Sequence, residues 1–266
     1  MKRKGTQKHQ GVPLRPFAFM QKHRFYAPSI STDLLLDAEE SHHLARVLRL
    51  REGDRVFAFD GQGREWECEI ARIEKHQTAL TILRLLDNPV DSPLDLTLAT
   101  ALTKGEKFEW VVQKATELGI TRIVPMITEH CEIKRADERG EQRLQRWRRI
   151  SLEAVKQCGR RTLVEIDQPV PFQSFLERKL GSHHLIFSEK GGRTLKGLAA
   201  DLDASRGLCL LIASEGGWSE KEVDLAAQAG YHAVHLGERI LRAETAAIAA
   251  VALAQFLFGD LSYEHG

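Results

Sequence analysis

The sequence predicts an α/β protein in which a mostly parallel sheet, covered by helices on both faces, follows a small β-rich domain. Three observations carry that expectation. From about residue 94 onward, short apolar runs alternate with helical stretches, the rhythm of βαβ units. Residues 25–86 instead read as short strands with period-two alternation and glycine turns. Between them lies Asp87-Asn88-Pro89-Val90-Asp91-Ser92-Pro93, a stiff polar linker. The expected boundaries are 1–20 for a disordered basic extension, 21–88 for the small domain and 89–266 for the α/β domain.

Residues 1–20 are polar and basic, and Gly11, Pro13 and Pro16 work against regular structure. Residues 39–50 read as a short helix with Leu44, Val47 and Leu48 on one face. Gly53-Asp54 is a turn, and Val56, Phe57 and Phe59 lie in a strand. Asp60-Gly61-Gln62-Gly63 makes a hairpin connection, after which Trp66, Cys68 and Ile70 alternate inward. Residues 78–86 close the small domain. The second domain begins with a strand at Leu94, Leu96 and Leu98, then a helix over 106–118 that Gly119 stops. A strand over 123–127 and a long helix over 139–158 follow. Residues 163–166, 185–187, 208–213 and 233–236 supply the remaining strands. Ser219 and Glu222 form a capping box at the start of one helix, and 244–258 is the last.

Composition excludes several classes. Apolar content of 42% with 28% charge is ordinary for a soluble globular protein. The longest apolar run, 246–258, is interrupted by Gln255 and falls short of the ~20 residues a membrane helix needs. No apolar stretch follows the basic N-terminus, so no secretory signal is expected. Cys68, Cys131, Cys158 and Cys209 are widely spaced, which points to free thiols in a reducing cytoplasm. His42-His43 and His183-His184 lack metal-ligand spacing, and no metal is expected. No G-x-G-x-x-G follows the first strand of the second domain, which disfavours a nucleotide-cofactor oxidoreductase. The charge is segregated. Residues 1–24 hold seven Lys or Arg and no acid, and residues 134–161 hold ten against four. Because the formal net charge is only +1, the rest of the chain is strongly acidic. Such segregation is the footprint of a nucleic-acid binder. For residues 139–149 alone, a solvated helix face explains the charge equally well.

Two loops concentrate the chemistry. Leu236-Gly237-Glu238-Arg239-Ile240-Leu241-Arg242-Ala243-Glu244-Thr245-Ala246 joins a strand to an alanine-rich helix. Just upstream, the strand 208–213 runs into Ser214-Glu215-Gly216-Gly217-Trp218. A buried strand feeding a helix through a glycine turn presents free N–H groups and the helix dipole to a ligand.

These loops carry a resemblance to a known family. Ile212-Ala213-Ser214-Glu215-Gly216-Gly217-Trp218-Ser219-Glu220-Lys221-Glu222 resembles the "IGPEGG-F-S-x-x-E" signature of the bacterial 16S rRNA uridine-N3 methyltransferases, and residues 236–246 resemble their "LGxRILRTETA". Lys104-Gly105-Glu106-Lys107, residues 113–119, residues 153–160, His23-Arg24-Phe25-Tyr26 and residues 43–49 also fit, so the likeness runs from Met20 to the C-terminus. Family sequences start near the equivalent of Met20, which makes Met20 a candidate initiator. The resemblance implies a trefoil-knotted SPOUT-type domain preceded by a PUA-like, β-barrel-like RNA-binding domain. It also implies a homodimer, S-adenosylmethionine as cofactor, and 16S rRNA in the small ribosomal subunit as partner.

Two departures stand out. Ala213-Ser214 replaces Gly-Pro, adding a Cβ and freeing a φ that proline would fix, and Ala243 replaces a threonine. On the family pattern, Leu236, Ile240 and Leu241 supply apolar walls for the cofactor, while Gly216, Gly217 and Gly237 allow backbone approach. Ser188 and Glu189 line a third side, and Ile212 and Thr245 complete the set. Uridine N3 carries a proton that must leave, so Glu215 and Glu244 are candidate bases, though each also suits a helix start. Arg242 suits stabilisation of the uridine anion or a phosphate. Arg24, Arg46, Arg49 and Arg160 are expected to contact RNA phosphates. The alternative reading is an RNA-binding protein of the same fold with lost or altered catalysis.

Overall fold

A computed structural model describes residues 23–29, 34–87, 91–132, 140–178, 180 and 183–262. The expected basic extension, the centre of the linker, and Lys134, Arg135 and Arg139 lie outside the described residues.

The N-terminal unit contains β1 (Arg24–Tyr26), β2 (Leu34–Leu36), α1 (Ala38–His42), β3 (Arg55–Phe59), β4 (Glu65–Ile73) and β5 (Thr78–Leu85). Its five strands form one sheet in the order β1-β3-β4-β5-β2, antiparallel except for the β1–β3 pair. Trp66, Cys68 and Ile70 do alternate inward, where they meet Phe25, Leu34, Leu36, Leu44 and Val56. The expected single helix over 39–50 is corrected. Asp37 caps α1 by accepting from Glu40 N at 2.8 Å, and the helix then widens into a π-turn, His43–Val47. Leu48 N reaches back to His43 O at 3.0 Å, and Arg49 follows with φ +56°.

The second unit contains β6 (Leu96–Ala101), α2 (Lys107–Glu117), β7 (Arg122–Ile127), α3 (Gly140–Cys158), β8 (Glu165–Ile166), β9 (Val170–Pro171), α4 (Phe172–Leu176), β10 (His183–Phe187), β11 (Arg193–Thr194), α5 (Leu195–Leu198), β12 (Leu208–Ile212), α6 (Glu220–Gln228), β13 (His232–His235) and α7 (Ala243–Phe258). Every strand pair in its eight-stranded sheet is parallel, in the order β11-β13-β10-β12-β6-β7-β8 with β9 also on β7. β6 and β12 are buried at every position, as central strands covered on both faces must be. Their side chains alternate between two cores. Leu96, Leu98, Leu208 and Leu210 meet α2, α3 and α7, while Ala99, Cys209 and Leu211 meet α4 and α6. Phe108, Val111, Val112 and Ala115 give α2 its buried face, and Gly119 ends it at φ +85°. Strands β9 and β11 and helices α4 and α5 are too short for periodicity to reveal. No helix among the described residues is long and apolar enough to cross a membrane.

The two units are joined by buried charge. Glu65 accepts from Arg24 Nε at 2.6 Å and from Arg161 Nε at 3.1 Å, and all three side chains are 5% exposed. Arg24 also donates to Val155 O, Lys156 O and Arg160 O, capping the C-terminal end of α3. Arg160 donates to Thr116 O and Ile120 O at the end of α2, and to Asp91 of the linker. Cations at helix C-termini meet the negative end of the dipole as well as orphan carbonyls. Gln255, wholly buried in α7, accepts from Ser92 Oγ and donates to Gly119 O, tying the linker to α7 and the end of α2.

Removing the shared carboxylate leaves two buried guanidinium groups facing each other. Glu65→Ala is expected to lower the unfolding free energy by about 3–5 kcal/mol. Glu39→Ala, which breaks only the exposed pair with Arg149, should cost under about 1 kcal/mol. Urea denaturation checks both, and equal midpoints would show that the Glu65 network carries no such energy.

Candidate active site

The ligand-type loops follow β13, β10 and β12, three adjacent strands whose C-terminal ends share one edge of the sheet. There they enclose a cleft of about 690 Å³. Ser188 and Glu189 enter it after β10. Ile212, Glu215, Gly216 and Gly217 enter at the end of β12, and Leu236, Gly237, Ile240, Leu241 and Arg242 enter between β13 and α7. Parallel strand order thus brings together residues up to about fifty positions apart in the chain. Trp218 joins two of the loops, since its Nε1 donates to Phe187 O at 2.8 Å while its ring packs 5.3 Å from that of Phe172.

The cleft floor is backbone. Gly217 has φ +70° and Gly237 φ +93°, and a Cβ at either would meet no protein atom within 4 Å. Gly216 differs, because a Cβ there would stand 2.6 Å from His130 Cβ. His130 Nδ1 lies 3.0 Å from Gly216 O. Ser214, the residue that replaces proline, is buried on the cleft wall, and its hydroxyl has no partner among the described residues. A buried hydroxyl of this kind costs energy until a ligand or water satisfies it. Glycine backbone, apolar walls at Phe187, Ile212 and Leu241, and one unsatisfied hydroxyl suit S-adenosylmethionine, which presents an adenine, a ribose and a zwitterionic tail.

Charge gathers at the rim. Lys107 Nζ donates to Glu215 Oε1 at 2.8 Å. Burial opposes ionisation of Glu215, but the hydrogen bond and charge of Lys107 outweigh it and hold the carboxyl below its ordinary pKa. The same bond raises Lys107, with further contributions from Glu244 and against Arg242. Burial pushes the Cys68 thiol up to about 11 and Cys209 higher still, so neither is a nucleophile at neutral pH. Among the described residues no group of three or more His, Cys, Asp or Glu is arranged to hold a metal.

Several expected roles are corrected. Arg24 and Arg160 are 8% and 4% exposed, with their donors committed to carbonyls and carboxylates, so they are structural rather than phosphate-facing. Thr245 is exposed outside the cleft, since the helical period of α7 turns it away from Ala243 and Ala246, which line it. Glu244 also lies off the cleft wall, in the first turn of α7, with one carboxylate oxygen buried and unpartnered. Arg46 and Arg49 are exposed as expected. The basic helix α3 is largely ion-paired within the chain, Arg146 to Glu109, Arg149 to Glu39 and Lys156 to Glu40. Lys107 and His130 were not anticipated, because Lys107 meets Glu215 from the start of α2 and His130 reaches the cleft from the loop after β7, each far off in the chain. Trp218 sits within the recognised motif, but its bond to Phe187 is invisible in sequence.

The contact between Gly216 and His130 is specific enough to test. Gly216→Ala forces a Cβ into His130 Cβ, and a stability loss of about 1–3 kcal/mol is expected. A thermal shift indistinguishable from that of Gly140→Ala, where nothing lies within 4 Å, would show that the contact is slack.

Comparison with known proteins agrees with this geometry. Residues 90–255 match the family model of an RNA methyltransferase domain, and residues 36–83 match that of an RNA methyltransferase PUA domain. A ribosomal RNA small subunit methyltransferase E from Synechocystis is 36% identical over 230 residues, covering 84% of this chain and 73% of its own. Its counterpart from Buchnera aphidicola (Schizaphis graminum) is 31% identical, covering 89% and 96%. Among solved structures, a methyltransferase from Legionella pneumophila in complex with S-adenosylmethionine is 34% identical with TM-score 0.83, covering 90% of this chain and 99% of that one. A ribosomal RNA small subunit methyltransferase E from Neisseria gonorrhoeae bound to S-adenosylmethionine is likewise 34% identical, with TM-score 0.82 and the same coverage. This chain therefore belongs to the RNA methyltransferase family that includes the ribosomal RNA small subunit methyltransferases E.

Proposed function

We propose that this protein methylates N3 of a uridine in the 16S rRNA of the small ribosomal subunit, in the cytoplasm, using S-adenosylmethionine. The observation that carries the reading is the glycine-floored cleft at the ends of β13, β10 and β12, in a chain whose relatives crystallise with that cofactor. The cofactor supplies a methyl already activated on a sulfonium. What remains for the protein is to hold that methyl in line with the nucleophile, a positioning effect that supplies roughly 7–11 kcal/mol. Gly217 and Gly237 let backbone approach the ligand, Ile212, Leu236 and Leu241 wall it, and Ser214 offers a hydroxyl. Arg242, exposed at the N-cap of α7, is placed to meet the uridine anion or an adjacent phosphate. Arg46 and Arg49 of the small domain meet the RNA backbone. The alternative, a binding protein that has lost catalysis, rests on Ala213-Ser214, yet both residues are accommodated without closing the cleft.

The same reading includes a knotted domain and a two-fold dimer. Helix α7 is apolar on nearly every side, and its outward stripe of Thr245, Ala249, Ala252, Leu253 and Phe256 is left partly or fully exposed. Trp110 on the neighbouring α2 is 60% exposed. A helix apolar all round is ordinarily covered, and a second copy of the chain is the proposed cover. Light scattering at micromolar concentration should give twice the chain mass of 30.0 kDa. An active monomer would refute the dimer.

The function itself is tested with tritiated S-adenosylmethionine and small subunits lacking the modification. An N3-methyl blocks Watson–Crick pairing, so one strong reverse-transcription stop in 16S rRNA is expected, and label without a stop would place the methyl on another atom. Gly237→Val should abolish cofactor binding by filling the cradle, and its positive φ adds about 1–3 kcal/mol of strain. Arg242→Ala should keep cofactor affinity and lower turnover. Loss of affinity with normal turnover at saturation would reverse that division of labour.

A further inference from the structure

We propose that His130 is the general base that removes the N3 proton during methyl transfer. This rests on the uridine-N3 reading above. His130 lies in the loop after β7, and its side chain forms part of the wall of the cofactor cleft. Its Nδ1 stands 3.0 Å from Gly216 O, a carbonyl that can only accept. That contact fixes the tautomer, with the proton on Nδ1 and the lone pair on Nε2. The imidazole is therefore a proton acceptor held by the same glycine loop that shapes the cleft.

The loop itself is pinned on both sides of the histidine. Glu129 N donates to Glu222 Oε1 at 2.8 Å, and the buried Glu222 also caps α6 through Ser219. Cys131 N donates to Thr128 O, and its Sγ donates to Leu102 O at 3.1 Å. His130 Cβ also packs against the Gly216 backbone, so close that a Cβ on Gly216 would stand 2.6 Å from it. Pre-organisation of this sort is what a catalytic group requires.

The other acceptors at the cleft are less suited. Glu215 is engaged by Lys107, and its pKa is held below the ordinary value, which weakens it as a base. Glu189, Glu220 and Asp224 are exposed, as His130 is, but no hydrogen bond among the described residues holds their carboxylates to the glycine loop as Gly216 O holds His130. Glu244 lies off the cleft wall. In the proposed step the N3–H proton passes to His130 Nε2. The N3 electron pair forms the bond to the methyl carbon while the carbon–sulfur bond breaks toward sulfur, leaving a neutral thioether. The imidazolium then returns its proton to solvent.

The decisive variant is His130→Asn. Its amide N–H takes the place of Nδ1–H toward Gly216 O, and no imidazole nitrogen remains beyond it. With unmethylated small subunits and tritiated S-adenosylmethionine, cofactor affinity should stay within about twofold while kcat falls about 100-fold or more. Small subunits carrying 5-fluorouridine, whose N3 is more acidic, should shrink that gap by about tenfold, since less help is needed to remove the proton. Wild-type turnover in the variant, or an equal loss on both substrates, overturns the base and leaves the N3 reading standing. Failure of that reading shows separately, as the absence of a reverse-transcription stop with the wild-type enzyme, and it takes the inference with it.

Discussion

The structure depends on a single carboxylate held between two guanidinium groups. Glu65 opens β4 in the small sheet, yet its partners Arg24 and Arg161 reach it from β1 and from beyond the end of α3. Each of these arginines spends its remaining donors on backbone. Arg24 takes three carbonyls at the end of α3, and Arg161 takes Leu86 O where the small domain ends. Desolvating three charges is expensive, and their mutual attraction offsets that cost with the help of four bonds from Arg24 and two from the Arg161 guanidinium. The same geometry makes the junction directional. A hydrophobic interface tolerates sliding, whereas a fork of N–H groups aimed at fixed carbonyls does not. The small domain is thereby fixed in orientation relative to the sheet whose far edge carries the cleft.

The cleft is organised by a second set of side-chain bonds, each reaching from one loop to the backbone or carboxylate of another. Trp218 holds the end of β10, Glu222 holds the loop after β7, and Lys107 holds Glu215 from the start of α2. None of these joins neighbours in sequence. The loops are anchored where they leave the sheet, while Gly217 and Gly237 are left with open space where a side chain would stand. Rigid bases and open tips are what a site needs if backbone is to approach a ligand without being covered by it.

Much of this was legible in the sequence, and what was not has a common cause. Central strands such as β6 and β12 announce themselves as unbroken apolar runs, and the capping box at Ser219 and Glu222 is a local signal that the structure reproduces. The loops after β12 and β13 stand out for their glycines. Arginine defeated the reading, because its charge is local and its partners are not. Arg24 and Arg160 look like surface cations until the fold brings carbonyls from 131 and 44 positions away to meet them. Glu244 and Thr245 fail for a different reason. Both belong to the motif, but once α7 begins, its 3.6-residue period keeps Ala243 and Ala246 on the cleft and turns the two positions between them away. His130 carries no signal at all, since its contact with Gly216 spans 86 positions.

Burial of those arginines also relocates the RNA contact on the proposed reading. Cations already paired to acids, as on α3, gain less from a phosphate than free ones, because the existing partner must be displaced. Arg46 and Arg49 are exposed and have no partner among the described residues. Arg49 adopts φ +56°, a conformation that costs a non-glycine residue about 1–3 kcal/mol, immediately after a π-turn that is itself unusual. Two local departures from regular helix in seven residues end the element, with Leu50 N bonded back to Leu44 O at 3.1 Å and Ala45, Leu48 and Leu50 packed against the core of the small domain. They do place two arginine side chains on the outer surface of the small domain, at a position that an uninterrupted helix would have turned differently. On the proposed reading, the turn that closes the helix is also the one that presents Arg46 and Arg49 to the RNA backbone.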